Sequence, residues 1–163
     1  MAIRNRSEFE KFIQRVEKSS DEFRTSSTKK RHSKQYRTAR ENLAHLVDEE
    51  SFLEFGQFAV AAQRNRRDYE ELQDKTNADG IITGFCSVNS ELVGSDLSQA
   101  VAIVYDYSVL AGTQGAFHHL KLDRICDQAK KFELPIVIFT EGGGGRPGDT
   151  DVLTQIAGLH IPS

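Results

Sequence analysis

The chain contains few of the residues that mark specialised classes of protein. Its 163 residues include two cysteines, three prolines, one methionine and no tryptophan. Cys86 and Cys126 are too few for a disulfide scaffold or a four-cysteine zinc site, and they fit a reducing compartment. No apolar run reaches the roughly 18 residues that a membrane-spanning helix requires, and the start lacks the apolar core of a signal peptide. We therefore expect a cytoplasmic protein, or a matrix-like one if it is organellar, with no membrane partner.

Neither sign of charge dominates. The chain has 21 Lys and Arg residues and 24 Asp and Glu residues, so its net charge is −3. This charge gives no reason to expect a nucleic-acid partner. Basic residues still form two clusters, one within residues 29–40 and one within residues 64–67. Each cluster is either a solvated surface or a contact for the phosphates of an anionic ligand or for a partner subunit.

Familiar catalytic motifs are missing as well. The chain has no G-x-S-x-G elbow and no G-K-[ST] phosphate loop. His118 and His119 are adjacent and point to different faces of a helix, while His119 and Asp123 alone are too few to hold a metal ion. We expect no metal site, partly exposed histidines, and two cysteines that serve as structural thiols.

Residues 1–50 are predicted to form an N-terminal helical segment. Apolar residues at helical spacing predict one helix over about Ser7–Phe23 and a second that carries Ala39, Leu43, Leu46 and Val47 on one side. Between them, Thr25–Lys34 is polar and basic, and we expect it to be a connector.

Residues 51–163 are predicted to form a partial α/β subdomain. A charged loop over Gln63–Lys75 precedes the regular elements. The apolar patterns then predict three strands, at Ala78–Val88, Glu91–Val93 and Gln99–Leu110. A helix at Ala116–Phe132 and a final buried strand at Pro135–Thr140 follow. A strand, helix and strand in succession imply a parallel pair. Asp149 or Thr150 is predicted to cap a short helix through Ile156.

Four consecutive glycines, residues 142–145, follow the last strand and precede Arg146 and Pro147. Such a run lets a ligand approach backbone N–H groups, which are suited to an oxyanion or a phosphate. Gly143, Gly145 and Gly148 match G-x-G-x-x-G, but the acidic residue that a dinucleotide site needs about 20 positions later is missing. A flexible surface loop is the alternative. The Ala111–Gly115 turn leads into a helix N-terminus, which is either an anion site or a plain turn.

Several motifs follow one another along the chain: Asp79-Gly-Ile-Ile-Thr-Gly84, Val101 to Gly115 (VAIVYDYSVLAGTQG), His118 with Lys121, and Glu141-Gly-Gly-Gly-Gly-Arg146. In order and spacing they resemble the carboxyltransferase component of biotin-dependent acyl-CoA carboxylases, of the acetyl- or propionyl-CoA carboxylase type. The family's usual text is G-D-G-V-V-T-G, V-A-V-x-x-x-D-x-T-V-x-G-G-S-x-G, H-x-x-K and S-G-G-A-R. The stretch from Ala39 to Phe55 is similar to the family too.

The resemblance implies an α/β, crotonase-like fold, in which ββα units stack into a spiral; here the spiral is incomplete and preceded by N-terminal helices. It implies transfer of a carboxyl group from carboxybiotin to the α-carbon of an acyl-CoA. In that family biotin itself takes the α-proton, so the protein supplies oxyanion stabilisation and positioning. The implied partners are acyl-CoA, the biotin carboxyl carrier and biotin carboxylase components, and further copies of the chain in a homo-oligomer.

Site residues follow from the resemblance by position. Gly143 and Gly144 are the implied backbone donors to an oxyanion. The implied substrate-binding residues are Gly112, Gly115, His118, Lys121 and Arg146. Biotin is expected on a partner carrier, with no cofactor bound covalently to this chain.

Departures from the family pattern limit the expected activity. Glu141 stands in the place of the usual serine, a glycine replaces the alanine, and residues 94–98 are added. A family carboxyltransferase has two crotonase-like halves and is much longer. We therefore expect an N-terminal part of such an enzyme, with little or no activity in isolation. The alternatives are a non-catalytic CoA-binding or assembly module and part of a biotin-dependent decarboxylase.

Overall fold

The structure is a computed structural model that describes the backbone of residues 2–152 and the side chains of residues 6–152. Its elements in chain order are α1 Ala2–Glu17, α2 Thr25–His32, α3 Ala39–Leu46, β1 Leu53–Phe55, α4 Tyr69–Lys75, β2 Ile81–Ser87, α5 Ser90–Val93, β3 Gln99–Tyr105, α6 Ala116–Phe132 and β4 Ile136–Phe139. None of the helices in this part of the chain is long and apolar enough to cross a bilayer.

One four-stranded sheet, in the order β1-β2-β3-β4, organises the chain. β1 pairs antiparallel with β2, and β2 pairs antiparallel with β3. β3 and β4, which α6 connects, pair in parallel with Val101 opposite Ile136, so the expected parallel pair is confirmed. The carboxyl ends of β3 and β4 therefore lie side by side, and the loops that follow them meet at one edge of the sheet.

Alternating side chains give the sheet two buried faces, because successive residues of a strand point to opposite sides. One face packs against Ala39 and Leu43 of α3, and the residues of that layer are Ile82, Cys86, Ala100, Ala102 and Val104. The other face packs against Ile125 and Ala129 of α6, and its layer is Ile81, Val101, Ile103 and Tyr105. The sheet is therefore packed between α3 on one side and α6 on the other.

A capping box fixes the start of α3. The Thr38 hydroxyl accepts a hydrogen bond from the Glu41 N–H at 3.0 Å, and the Glu41 carboxylate accepts one from the Thr38 N–H at 2.8 Å. Two of the unpaired N–H groups at this helix end are thereby satisfied.

The predicted connector at residues 25–34 is wrong, since α2 forms there. All four residues of its last turn are basic or histidine, and positive charge at a helix C-terminus is favoured by the helix dipole. Periodicity could not reveal this helix because it has no apolar stripe.

Two further local predictions are also wrong. The predicted strand at Glu91–Val93 is the single helical turn α5, because the Asp48 carboxylate accepts hydrogen bonds from the Asn89 and Ser90 N–H groups at 2.8 and 2.9 Å. The predicted charged loop contains α4, whose Glu71 pairs with Lys75 one turn later at 2.9 Å.

Three predicted strands are shortened. β2 begins at Ile81 rather than Ala78 because residues 77–80 form a tight turn, and β3 ends at Tyr105 rather than Leu110. β4 lies within the predicted Pro135–Thr140 strand but is not buried as expected. Ile136 and Ile138 lie beside Val101 and Ile103 on the α6 face of the sheet. They remain 42% and 47% exposed, because α6 packs on β2 and β3 rather than on this edge strand.

Candidate functional site

Two loops at the carboxyl edge of the sheet are joined through their backbones. The Gln114 N–H donates to the Gly144 carbonyl at 3.0 Å, and the Arg146 N–H donates to the Gln114 carbonyl at 2.8 Å. Gly112 has φ +67°, and a Cβ there would collide with the Glu141 carbonyl. The loop after β3 and the glycine run thus form one continuous surface that tolerates no side chain at Gly112.

The glycine run presents unused backbone donors. None of the four N–H groups of residues 142–145 makes a hydrogen bond to residues 2–152. A Cβ built on Gly143 or Gly144 would meet no atom within 4 Å, so both positions face open space in the part of the chain described. Consecutive N–H groups that have no partner within residues 2–152 can bind a developing negative charge.

Arg146 lies beneath this loop. Its side chain is 5% exposed, and its guanidinium donates to the Thr113 carbonyl at 2.6 Å and the Thr113 hydroxyl at 3.2 Å. It also forms an ion pair with the fully buried Asp79. The arginine therefore faces inward and ties the glycine run to the loop after β3.

Carboxylates of the chain itself occupy the N-terminus of α6. Asp149 accepts a hydrogen bond from the Ala116 N–H at 2.8 Å, and Asp79 accepts one from the His118 N–H at 2.8 Å. Gly115 permits this cap, because a Cβ there would collide with the Asp149 carboxylate and the Arg146 guanidinium. The positive end of the α6 dipole is thus satisfied by carboxylates of the chain itself.

Asp149 was expected to cap a following helix. Its second oxygen accepts a hydrogen bond from the Gln63 side-chain amide at 3.1 Å, so both of its oxygens serve contacts with earlier parts of the chain. That expectation is wrong for Asp149. Most of the helix predicted through Ile156 lies outside the described residues.

A strained turn precedes β2. Ala78, Asp79 and Gly80 have φ values of 53°, 50° and 75°, and left-handed backbone costs about 1 kcal/mol or more for each residue with a Cβ. Lys121 holds the turn, since its ammonium donates to the Ala78 carbonyl at 2.8 Å and to the Ile81 carbonyl. Burial lowers the pKa of Lys121 to about 8.

His118 supports the same turn. Its ring is fully buried, with Nδ1 3.3 Å from the Asp79 carbonyl and an edge-on contact to Tyr105 at 4.6 Å. Burial lowers the pKa of His118 to about 3, so the ring is neutral at physiological pH. The expectation of a partly exposed histidine is wrong for His118, because α6 turns this residue toward the sheet.

The predicted site residues lie around one buried carboxylate, Asp79, that sequence reasoning did not single out. Asp79 contacts His118 and Arg146 directly, and burial raises its pKa. Gly115 packs on Arg146, and the remaining predicted residues lie on the two joined loops or on α6. A signal for Asp79 exists in the sequence: it is a lone charged residue at the entrance to a buried strand.

Nucleophilic and metal chemistry have no support among residues 6–152. No group of three or more His, Cys, Asp and Glu side chains there is placed to hold a metal ion. Burial raises the pKa of both the Cys86 and the Cys126 thiol, so neither is an activated thiolate.

Comparison with known proteins identifies the family. A carboxyl transferase domain is recognised over residues 30–158. The chain belongs to the carboxyl transferase domain family. Over 117 residues it is 31% identical to the methylmalonyl-CoA decarboxylase subunit alpha of Veillonella parvula. This aligned segment covers 72% of the present chain and 21% of the decarboxylase subunit.

Solved structures agree on the fold. A single-chain, multi-domain long-chain acyl-CoA carboxylase superposes with a TM-score of 0.84 and 49% identity. The match covers 88% of this chain and 14% of the carboxylase chain. The transcarboxylase 12S core, a hexamer solved with methylmalonyl-CoA bound, superposes with a TM-score of 0.61 and 29% identity. The match covers 77% of this chain and 22% of the transcarboxylase chain. The chain has the crotonase-like fold of carboxyltransferases. It spans about a fifth or less of the length of these three relatives.

Proposed function

We propose that this chain is the acyl-CoA-binding, oxyanion-stabilising part of an acyl-CoA carboxyltransferase. The observation that supports this most strongly is that the N–H groups of residues 142–145 make no hydrogen bond within residues 2–152, while a side chain at Gly143 or Gly144 would meet no described atom within 4 Å. When a proton leaves the α-carbon of a thioester, negative charge moves to the carbonyl oxygen. In this proposal the Gly143 and Gly144 amides stabilise that oxygen, and losing one such donor typically costs about 10²–10³ in rate.

The other candidate residues act behind this surface in our proposal. Gly112 and Gly115 keep the two loops in contact by lacking a side chain. The polar atoms of Lys121 and Arg146 are engaged with backbone carbonyls and buried carboxylates, and His118 is buried beside them. We infer that these three side chains hold the amides in position and shape the acyl-CoA pocket without touching the reacting atoms.

Biotin on a partner carrier supplies the carboxyl group in this proposal. The donor set fits such a group, because an oxyanion needs only N–H donors and the loop offers them without a competing side chain. Biotin carboxyl carrier and biotin carboxylase components would then be partners, and the chain would act in a homo-oligomer. Unpaired thiols at Cys86 and Cys126 support a cytoplasmic location.

Calorimetry can test the oxyanion role. We expect the chain to bind propionyl-CoA more tightly than the thioether analogue that lacks the carbonyl, by about two- to ten-fold for one net hydrogen bond. Gly143→Ala should reduce this preference, because its methyl group enters the open space, and should leave the unfolding free energy unchanged. Equal affinity for thioester and thioether in the unmodified chain would contradict the proposal.

Gly112→Ala is the matched comparison. Its methyl group would collide with the Glu141 carbonyl, so it should destabilise the protein, unlike Gly143→Ala. Without partners, the chain should show little or no carboxyl transfer from free carboxybiotin, since it spans about a fifth of its relatives. Substrate-dependent carboxylation by the chain alone would contradict that expectation.

Part of a decarboxylase is the second candidate. The similarity to a methylmalonyl-CoA decarboxylase subunit favours it, and the same oxyanion donors would serve carboxyl removal. A non-catalytic CoA-binding or assembly module would keep acyl-CoA affinity or a subunit interface without turnover. Supplying the purified biotin partners and following the direction of carboxyl transfer separates these three functions.

A further inference from the structure

An arginine of the N-terminal helical segment reaches the loop after β3. Arg24 lies between α1 and α2, and its guanidinium donates to the Asp106 carboxylate and to the Ser108 hydroxyl, each at 2.6 Å. The side chains of Arg24 and Asp106 are only 11% and 13% exposed, so water competes little for this ion pair. A planar guanidinium that binds two partners fixes their direction as well as their distance.

The backbone that carries Arg24 is itself held. Its N–H donates to the Ser20 carbonyl at 3.2 Å, and its carbonyl accepts a hydrogen bond from the Thr28 N–H at 3.1 Å. The nearby Asp21 carboxylate accepts a hydrogen bond from the Thr38 hydroxyl, which also caps α3. Because α3 packs on the sheet, the guanidinium is presented from a fixed support.

Asp106 and Ser108 are bound to each other where the chain leaves β3. One Asp106 oxygen accepts hydrogen bonds from the Ser108 N–H at 2.9 Å and from the Ser108 hydroxyl at 2.5 Å. The Asp106 N–H donates to the Gly80 carbonyl at 2.9 Å, and the Asp106 carbonyl accepts a bond from the Val109 N–H at 3.0 Å. Arg24 binds the remaining carboxylate oxygen and the hydroxyl, and it thereby completes the set.

The backbone beyond Ser108 is left-handed for three residues. Leu110, Ala111 and Gly112 have φ values of 47°, 57° and 67°, and this conformation is unfavourable for residues with a Cβ. It persists only where the surrounding contacts hold it. The far end of this stretch is held by the two joined loops, and its near end is held by the hydrogen bonds to Arg24.

We infer that Arg24 is a positioning residue for the amides of the glycine run, and that it acts through Asp106 and Ser108. These two residues anchor the left-handed stretch, which leads into the backbone pairing between the joined loops. The inference rests on the proposed oxyanion role of Gly143 and Gly144. It makes the N-terminal helical segment a part of the site, although Arg24 lies 82 residues before Asp106 and touches no amide of the glycine run.

Hydrogen exchange under native conditions measures the anchoring without any ligand. The Gln114 and Arg146 N–H groups donate between the two joined loops, so their exchange reports the opening of this contact. Arg24→Met removes two hydrogen bonds from a charged group and should speed the exchange of both amides about ten-fold or more beyond any change in global unfolding. Arg24→Lys should restore part of the protection, because an ammonium can still pair with Asp106.

The matched control is Arg15→Met, the same substitution in the same segment. The Arg15 guanidinium donates to the Phe58 carbonyl at 3.2 Å and lies 5.8 Å from the centre of the Tyr69 ring, so it contacts the loop after β1 and α4 instead. The exchange of Gln114 and Arg146 relative to global unfolding should stay unchanged in this variant. Equal acceleration in both methionine variants would overturn the inference, since any loosening of the segment would then have the same effect.

Calorimetry with propionyl-CoA and its thioether analogue connects the anchored loop to the amides. The thioester preference expected for the unmodified chain should fall toward equal affinity in Arg24→Met, should be partly kept in Arg24→Lys and should remain in Arg15→Met. Faster exchange with an unchanged preference in Arg24→Met would show that Arg24 is only structural, and the positioning role would fail.

Two further outcomes separate this inference from the proposed function. If the unmodified chain has no thioester preference, the oxyanion proposal fails, while the exchange of Gln114 and Arg146 still decides whether Arg24 anchors the loop. If Arg24→Met does not fold, Ser108→Ala removes only one of the two partners of Arg24. Its exchange at Gln114 and Arg146 should still be faster, and unchanged exchange would overturn the inference.

Discussion

Replacing His118 by leucine should change how the stability of the protein depends on pH. The ring is fully buried, and its Nε2 atom has no hydrogen-bond partner in residues 6–152. Burial, together with the nearby charges of Arg146 and Lys121, lowers the pKa of His118 to about 3. The folded protein therefore strongly favours the neutral form of the His118 ring over the protonated form.

The sign of the effect follows from linkage. The pKa of His118 is lower in the folded than in the unfolded state, where it is about 6.5. The stability that comes from the neutral ring is fully present above pH 6.5 and is lost as the pH falls toward 3. Each pH unit in that interval is worth about 1.36 kcal/mol. Between pH 7.5 and 4.5 this group should cost the unmodified protein about 2.7 kcal/mol.

Urea unfolding followed by circular dichroism between pH 7.5 and 4.5 measures this cost. At pH 7.5 the leucine variant loses the contact with the Asp79 carbonyl but also removes an unpaired buried nitrogen. As the pH falls, the variant should gain about 2.7 kcal/mol relative to the unmodified protein. His45→Gln, at an exposed position, is the control and should show a constant difference. A constant difference for His118→Leu would refute the burial argument.

Two further substitutions test the buried network. Arg146→Met should lower the unfolding free energy by about 3–5 kcal/mol, because it leaves the buried Asp79 carboxylate without its counterion. Adding Asp79→Asn should recover part of that loss in denaturant unfolding, and a loss below about 1 kcal/mol for Arg146→Met would contradict the network. Lys121→Met should cost about 1–3 kcal/mol, because the carbonyls of Ala78 and Ile81 lose their donor. In mass-spectrometric labelling, Lys121 should react with an amine reagent more slowly than the exposed Lys30, and equal rates would count against its buried position.

Elements with strong apolar periodicity could be predicted from the sequence. The bounds predicted for α6, Ala116–Phe132, are those of the structure, because its stripe packs against one face of the sheet. The strand before the glycines and its parallel pairing with β3 were also predicted correctly. In these cases the local pattern and the tertiary packing favour the same conformation.

Elements fixed by distant polar contacts could not be predicted. α2 has no apolar stripe, and its Arg31 is paired with a residue 110 positions away. α5 depends on the Asp48 carboxylate, 42 positions before Ser90. The left-handed turn at Ala78 and Asp79 interrupts an apolar run that favours a strand. Sequence periodicity carries no information on such contacts.

The candidate site was predicted only in part. The resemblance selects the loop that carries Gly143 and Gly144, because the motif is contiguous. The inward direction of Arg146 and the central place of Asp79 depend on a contact that spans 67 residues. The capping of α6 depends on similarly distant contacts, because the Ala116 and His118 N–H groups donate to the carboxylates of Asp149 and Asp79.

The long sequence separation of the contacts around Asp79 has a consequence for folding kinetics. β2 and β3 pair antiparallel and are separated only by the short α5 segment, whereas β4 pairs in parallel with β3 after a helical crossover. Closing large loops has an entropic cost before the contact forms, so pairs distant in sequence form late. We expect the β2–β3 pair to form first and the joined loops last. By the same reasoning, the hydrogen-bonded amides of Gln114 and Arg146 in the joined loops should exchange hydrogen with solvent through local openings well below the global unfolding free energy.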